Sequence, residues 1–174
     1  MTVYTIGHST HTIADFGALL SEPGIQLVVD VRAIPRSRTN PQFNLDVLPA
    51  SLADFGIGYQ HIPELGGRRH RSRDAPPSPN TFWRNVSFRN YADYAASDAF
   101  SLGFTRLRDL AERQRCAIMC SEAVWWRCHR RIITDYLIVR GIQVMHIMGP
   151  GKSDAATLTP NAYPQSDGTL LYRE

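Results

Sequence analysis

The sequence has little cysteine, almost no lysine and no long apolar run, and each shortage narrows what the protein can be. Its 174 residues include three cysteines, an odd number whose spacing is unlike a disulfide scaffold, so we expect reduced thiols. No stretch reaches the ~18 apolar residues of a membrane span. The first residues, MTVYTIGHST, also lack the apolar core of a signal peptide. We therefore expect a cytoplasmic protein that has no membrane partner.

The shortage of lysine makes the basic side chains chemically uniform. Of the 19 lysine and arginine residues, all but Lys152 are arginine, and the net charge is +3. A GC-rich genome would explain this bias without any function. Recognition of planar anions such as phosphate or carboxylate would explain it too, because a guanidinium group binds them through two parallel hydrogen bonds.

What the sequence does contain is a regular alternation of apolar runs and helical patterns. The runs that predict strands lie at residues 3–6, 27–29, 57–62, 117–119 and 142–147. Helical patterns lie at residues 12–20, 45–55, 88–96, 100–114 and 124–140. This alternation predicts an α/β fold: a single three-layer domain with a mostly parallel sheet of about five strands covered by helices.

The composition changes at two places along the chain. Residues 66–80, GGRRHRSRDAPPSPN, contain almost nothing apolar and predict an exposed loop rich in arginine and proline. After residue 151 the chain becomes polar again. We expect one domain over residues 1–151 and a polar C-terminal tail over residues 152–174 that lies on the surface.

Side chains that could take part in catalysis or ligand binding follow the ends of the predicted strands. In open α/β sheets, ligands bind beyond the carboxyl ends of the strands, so this edge is the expected site. The residues that follow the first four strands are His8, Ser9, Asp30, Arg32, Ser37, Glu64, Gly66, Gly67, Cys120 and Glu122.

The stretch CSEAVWWRCHRR, residues 120–131, raises the most specific questions. A cysteine between a strand and a helix can have a lowered pKa, so Cys120 or Glu122 is the expected catalytic group. His8 is the expected proton carrier, while Arg32 and Arg130 are expected to hold an anion. Arg32 has a second interpretation, as the partner of Asp30 in a structural ion pair.

Two residues of this stretch have a structural interpretation beside the functional one. On a helix over residues 124–140, His129 lies at the centre of the apolar face, either as a core histidine or as a ligand-binding residue. Cys128 borders that face and is expected to be a buried thiol. Zinc could be held by Cys120, Cys128 and His129 with His8 or Glu122, although this spacing is not a familiar zinc motif.

Several motifs in order resemble one known family. IGHST near the start, DVR followed by P-x-S-R, PELGG, and C-x-E with CHR downstream resemble the domain of unknown function 488 family, over residues 4–149. The resemblance implies an α/β fold and a site at these motif positions. It implies no reaction.

Three functions remain open on the sequence alone. The favoured one is an enzyme, a hydrolase or transferase, that acts on a small anionic molecule or nucleotide at the strand ends. The first alternative is a non-catalytic module that binds nucleotide or nucleic acid. Its contacts would come from the arginine-rich loop and a nearby aromatic residue, namely Arg68, Arg69, Arg71, Arg73 and Trp83. The second alternative is a metal-dependent enzyme.

Overall fold

The computed structural model describes residues 1–174. Its main sheet consists of β1 (Thr2–Gly7), β2 (Leu27–Asp30), β3 (Gly58–His61), β4 (Cys116–Cys120), β5 (Gln143–Gly149) and β6 (Lys152–Ala155). The helices are α1 (Ile13–Ser21), α2 (Leu48–Ala53), α3 (Val86–Ala95), α4 (Asp98–Arg113) and α5 (Arg130–Ile138). A separate hairpin is formed by β7 (Ala162–Pro164) and β8 (Leu170–Tyr172). None of the helices is long and apolar enough to span a bilayer.

The main sheet has the order β3-β2-β4-β1-β5-β6. Its first five strands run parallel, and β6 is antiparallel to β5. The predicted α/β fold with a mostly parallel sheet is therefore confirmed. All five residues of β4 are buried, as expected of a central strand that is covered by helices on both faces.

Side chains along β4 alternate between two cores. Cys116, Ile118 and Cys120 belong to the larger core, which α3, α4 and α5 cover. Ala117 and Met119 belong to the smaller core, which α1 and α2 cover. Because successive side chains of a strand point to opposite faces, this register assigns every residue at the strand ends to one face or the other.

The helix predicted over residues 124–140 is interrupted, and this part of the prediction is wrong. A 3₁₀ turn at Trp125–Arg127 is followed by Cys128, whose backbone is extended at φ −128° and ψ 149°. The helix α5 begins only at Arg130. This break turns the Cys128 thiol towards β4, where a continuous helix would have placed it along the helix flank.

The segment predicted as a surface tail contributes to the fold. Its first strand, β6, pairs with β5, and its hairpin buries Ala162, Leu170 and Tyr172 in the larger core. The Tyr172 hydroxyl donates a hydrogen bond to Asp135 at 2.9 Å. The expectation of a draped tail was incorrect because these strands are short and lie in a polar stretch without sustained alternation.

The hairpin is therefore expected to contribute to stability. Replacing the fully buried Tyr172 by alanine should lower the free energy of unfolding by about 3–5 kcal/mol, since it removes a packed aromatic ring. Denaturant titration measures this loss. The matched control is Tyr163→Ala on the partner strand, where the side chain is 41% exposed and the loss should stay below about 1 kcal/mol. Equal losses in the two variants would contradict the packing role.

Candidate functional site

The carboxyl ends of β1 and β4 form the centre of the site. Gly7 is the partner of Cys120 in the sheet, and the pairing continues beyond both strands, because the His8 amide donates to the Cys120 carbonyl at 2.8 Å. The chain leaves β1 towards α1 on one face and leaves β4 towards α5 on the other. Adjacent parallel strands whose connections diverge in this way open a crevice for ligands.

Gly7 allows the two strand ends to approach closely. A Cβ atom at this position would lie 1.7 Å from the carbonyl oxygen of Glu122. Any other residue would therefore push away the loop that follows β4. The glycine belongs to the IGHST motif, but its packing role was not apparent from the sequence.

Four side chains on the α5 side of the crevice form a thiol cluster, defined as Cys120, Cys128, His129 and Arg130. The Cys128 sulfur lies 3.4 Å from the backbone nitrogen of Arg130, 3.4 Å from its Nε and 3.5 Å from His129 Nδ1. The Cys120 sulfur instead donates towards the Glu122 carbonyl at 4.0 Å. Donors thus surround Cys128, whereas an acceptor faces Cys120.

This asymmetry favours the thiolate at Cys128. Burial alone would raise the Cys128 pKa, but hydrogen bonding from Cys120 and the positive charges of His129 and Arg130 hold it well below the usual value. Burial, reinforced by the neighbouring Cys128, raises the pKa of Cys120 well above its usual value. The thiol predicted to be reactive is thus the protonated member of the pair.

The charge of Arg130 supports the same assignment. Arg130 is 1% exposed, and no carboxylate lies within ion-pair distance of its guanidinium group. Its remaining contacts are neutral: NH2 donates to the Glu122 carbonyl at 2.7 Å and NH1 to Thr5 at 3.3 Å. Because a buried cation without a counter-charge is costly, the Cys128 thiolate is the natural partner.

His129 is oriented both by the main chain and by the core, where its ring packs against Tyr91 at 5.0 Å between centroids. Its Nε2 lies 2.7 Å from the Val31 carbonyl, which can only accept, so this nitrogen carries a proton. Nδ1 therefore faces the Cys128 sulfur and can exchange a proton with it. Gly67 lies opposite the ring, where a Cβ would make a tight contact of 3.0 Å with Nδ1.

A second row of buried polar groups supports Arg130, and no motif in the sequence indicates it. The Thr5 hydroxyl accepts from Arg130 and lies 2.6 Å from Nδ1 of His146. Trp125 stacks on the His146 ring at 4.5 Å between centroids. Burial, followed by the charge of Arg130, lowers the His146 pKa to about 4. Thr5 lies within the apolar run at residues 3–6, which predicts a strand but no functional role for this residue.

The other face of the crevice carries the Arg32 cluster, defined as His8, Asp30, Arg32 and Tyr59. Arg32 binds the Asp30 carboxylate through Nε at 2.9 Å and NH2 at 2.7 Å. NH2 also donates to the Phe43 carbonyl at 2.8 Å, and Tyr59 donates to Asp30 at 2.5 Å. The ion-pair interpretation of Arg32 is the one the structure shows, and little of its guanidinium group is left to hold an anion.

His8 is a neutral imidazole on this face. Its Nδ1 donates to the Ser9 carbonyl at 2.9 Å, its ring stacks on Phe43 at 4.3 Å, and its Nε2 lies 3.4 Å from Arg32. Burial lowers the His8 pKa to about 4, despite the opposing hydrogen bond to Ser9. His8 and Cys120 therefore lie on opposite faces of the sheet, because Gly7 and Cys120 are in register.

Two adjoining cavities join these groups into one cleft. The first, of about 300 Å³, is lined by the two thiols, Cys120 and Cys128, and by Gly67 and His129. The second, of about 1070 Å³, is lined by His8, Ser9 and Ser37. They share the residues Ile34, Arg36, Arg68, Ser121 and Glu122.

The cleft is electropositive at its rim. Arg36, Arg68 and Arg127 line it, and none of them takes part in an ion pair. The Glu122 side chain is the acidic group that is exposed there. The Cys120 thiol contacts the main-chain carbonyl of Glu122 and not its carboxylate.

Comparison with protein families places this geometry in a known group. The model of a family described as Domain of unknown function DUF488 matches residues 12–137, well over half of the chain. The chain belongs to the DUF488 family. The match includes both cluster cysteines and Arg130, whereas His8 and Ser9 precede it. No curated protein and no solved structure matches the chain.

The remaining residues that the DUF488 resemblance singled out lie mostly outside the cleft. Ser37 accepts from the Asn40 amide in a turn beside the second cavity. Glu64 packs under α4, and its Oε2 is buried without a partner. Gly66 approaches the backbone of Ala33 and lines neither cavity.

Much of the arginine-rich loop is engaged within the protein. Arg69 donates to the Gly66 and Pro63 carbonyls and lies over the Tyr94 ring, while Arg71 pairs with Asp93 at 3.4 Å. Trp83, which the nucleic-acid alternative needs as a stacking platform, is 5% exposed. Of these arginines, only Arg68 lines the first cavity.

The side chains do not assemble a metal site. No group of three or more His, Cys, Asp or Glu residues is arranged to hold a metal ion. The set considered from the sequence is divided, because His8 lies on the other face of the sheet and the Glu122 carboxylate is exposed.

The buried neutral histidines predict an acid-sensitive fold. Because the folded-state pKa of His146 is about 4, below its ordinary value of 6.5, the unfolded chain binds protons first as pH falls between these values. We expect His146 to account for a loss of about 2 kcal/mol in the free energy of unfolding over this range. Denaturant titrations at several pH values measure it.

The matched variants are His146→Asn, which should flatten this part of the pH dependence, and His70→Asn. His70 lies exposed in the arginine-rich loop, so its replacement should leave the pH dependence unchanged. An unchanged pH dependence in His146→Asn would contradict the assignment.

Proposed function

We propose that the cleft is the active site of an enzyme that acts on a small anionic molecule, with Cys128 as the nucleophile. The observation that carries this proposal is the donor shell of the Cys128 sulfur, formed by the Arg130 amide, the Arg130 guanidinium group and His129. A thiolate is the nucleophilic form of cysteine, and fixed positive charge increases its population at neutral pH. This assignment moves the expected role from Cys120 to its neighbour.

His129 completes a nucleophile and base pair. It lies within hydrogen-bond reach of Cys128 and is itself oriented by the Val31 carbonyl, the arrangement that covalent catalysis requires. In the proposed reaction the thiolate attacks an electrophilic centre and forms a covalent intermediate, while the leaving group takes a proton from His129. Water or an acceptor then releases the product, as in a hydrolase or transferase.

The unpaired arginines indicate the charge of the substrate. Arg36, Arg68 and Arg127 would attract a phosphate or carboxylate group, which guanidinium binds in a planar, two-point geometry. His8 and Glu122 line the second cavity, where the far part of a nucleotide-sized substrate would lie. In this proposal neutral His8 serves there as a proton acceptor.

The alternative of a nucleic-acid module has less support. Its stacking residue, Trp83, is buried, and Arg69 and Arg71 already have partners. A reducing compartment such as the cytoplasm suits the proposed enzyme, because all three cysteines are free.

Alkylation with a charged and a neutral reagent tests both parts of the proposal. Mass spectrometry of the native protein at about pH 6.5 should find Cys128 modified first, because its pKa is lowered whereas the pKa values of Cys116 and Cys120 are raised. Relative to a free thiol, Cys128 should favour anionic iodoacetate over neutral iodoacetamide. Arg127→Ala or Arg68→Ala should reduce that preference roughly twofold to fivefold, the value of one exposed charge contact.

The control is Arg113→Ala, because Arg113 is exposed at the end of α4 and lines no part of the cleft. It should leave the preference unchanged, and added salt should weaken the preference in every protein that has it. A Cys128 that stays unmodified until the protein unfolds would overturn the nucleophile. A preference for the neutral reagent would overturn the anionic substrate.

A further inference from the structure

The proposed nucleophile, Cys128, has a second thiol, Cys120, in the same cavity. Ordinary nucleophilic catalysis does not need a second thiol. Cys120 ends β4, and Cys128 follows the 3₁₀ turn that leads back to it. Both line the first cavity, and both belong to the larger core. The intervening loop, residues 121–127, is drawn in by Arg130, which holds the Glu122 carbonyl at 2.7 Å and the Cys128 sulfur at 3.4 Å.

The two sulfurs differ in a way that suits consecutive steps. Donors surround Cys128, so it can attack first as a thiolate. Cys120 keeps its proton, since its sulfur faces the Glu122 carbonyl. Cys116, the third cysteine, is also buried and is on the same face of β4, but it lies at the opposite end of the strand. Only one pair of thiols can therefore combine.

We propose that Cys120 and Cys128 form a redox-active dithiol that reduces a small hydroperoxide in the first cavity. The Cys128 thiolate attacks the terminal peroxide oxygen, the O–O bond breaks, and the Cys128 sulfenic acid forms while the alkoxide or hydroxide leaves and takes up a proton. The Cys120 thiol then attacks the Cys128 sulfur. A Cys120–Cys128 disulfide forms, and water leaves.

The surroundings of Cys128 suit both the reduction of the peroxide and the later reduction of the disulfide back to two thiols. The peroxide is reduced by two electrons and the two thiols are oxidised, so no other reactant is needed in the forward direction. Arg36, Arg68 and Arg127, which line the cavity, can stabilise the oxygen anion that leaves. Once the disulfide forms, buried Arg130 loses its counter-charge. The reduced protein is thereby favoured, and a low-molecular-weight thiol should regenerate the dithiol readily.

The proposal rests on the same Cys128 thiolate as the proposed enzyme, and one equivalent of hydrogen peroxide tests it. The reduced protein should lose two of its three thiols, and peptide mapping without reductant should find Cys120 joined to Cys128. The reaction should be roughly tenfold faster than that of free cysteine near neutral pH, because Cys128 is already ionised. Reduced glutathione should restore both thiols.

Variants separate the two steps. Cys120→Ser should stop at a Cys128 sulfenic acid, which dimedone traps, whereas Cys128→Ser should abolish the fast reaction. Cys116→Ser, the matched control on the same strand face, should behave like the unaltered protein. Circular dichroism and denaturant titration establish that each variant is folded.

Two results would overturn the dithiol. If Cys128 is alkylated rapidly but peroxide yields no Cys120–Cys128 disulfide, the proposal fails while the proposed enzyme stands. If Cys128 resists both alkylation and peroxide in the folded protein, both fail together.

Discussion

The buried guanidinium group of Arg130 constrains more of this structure than any other single group. It lies at the start of α5, with Thr5 of β1, the Glu122 carbonyl and the Cys128 sulfur around it, and no carboxylate within reach. A cation in such a place requires a nearby negative charge, and the thiol pair is the chemistry available to provide it. The position of the loop after β4 and the ionisation of Cys128 both follow from that requirement.

The division of the site into two clusters follows from the sheet itself. Because Gly7 and Cys120 are in register, the side chain after Gly7 points to the α1 side while Cys120 points to the α5 side. His8 therefore joins Asp30 and Arg32 rather than the thiols. Arg68 and Glu122 line both cavities, so a ligand that spans the cleft would contact both faces of the sheet edge.

The sequence was sufficient for the five parallel strands and for α1 to α4, because apolar runs and helical periodicity depend on local interactions. The helical pattern over residues 12–20, for example, corresponds to α1, which Thr12 caps by accepting a hydrogen bond from the Asp15 amide. It was insufficient for the choice between Cys120 and Cys128. That choice depends on the extended backbone of Cys128 after a 3₁₀ turn. The apolar periodicity of residues 124–140 predicts a continuous helix there instead. The buried hairpin was missed because its strands, Ala162–Pro164 and Leu170–Tyr172, have only three residues each and lie in an otherwise polar segment.

The central claim is that Cys128 is a thiolate held by Arg130 and His129. An ultraviolet titration of thiolate absorbance in the folded protein tests it most directly, with Cys128→Ser and Cys120→Ser beside it. We predict that one thiolate is present at neutral pH, that Cys128→Ser removes it and that Cys120→Ser retains it. Absorbance that appears only above the ordinary thiol pKa of about 8.5, or that persists in Cys128→Ser, would contradict the account.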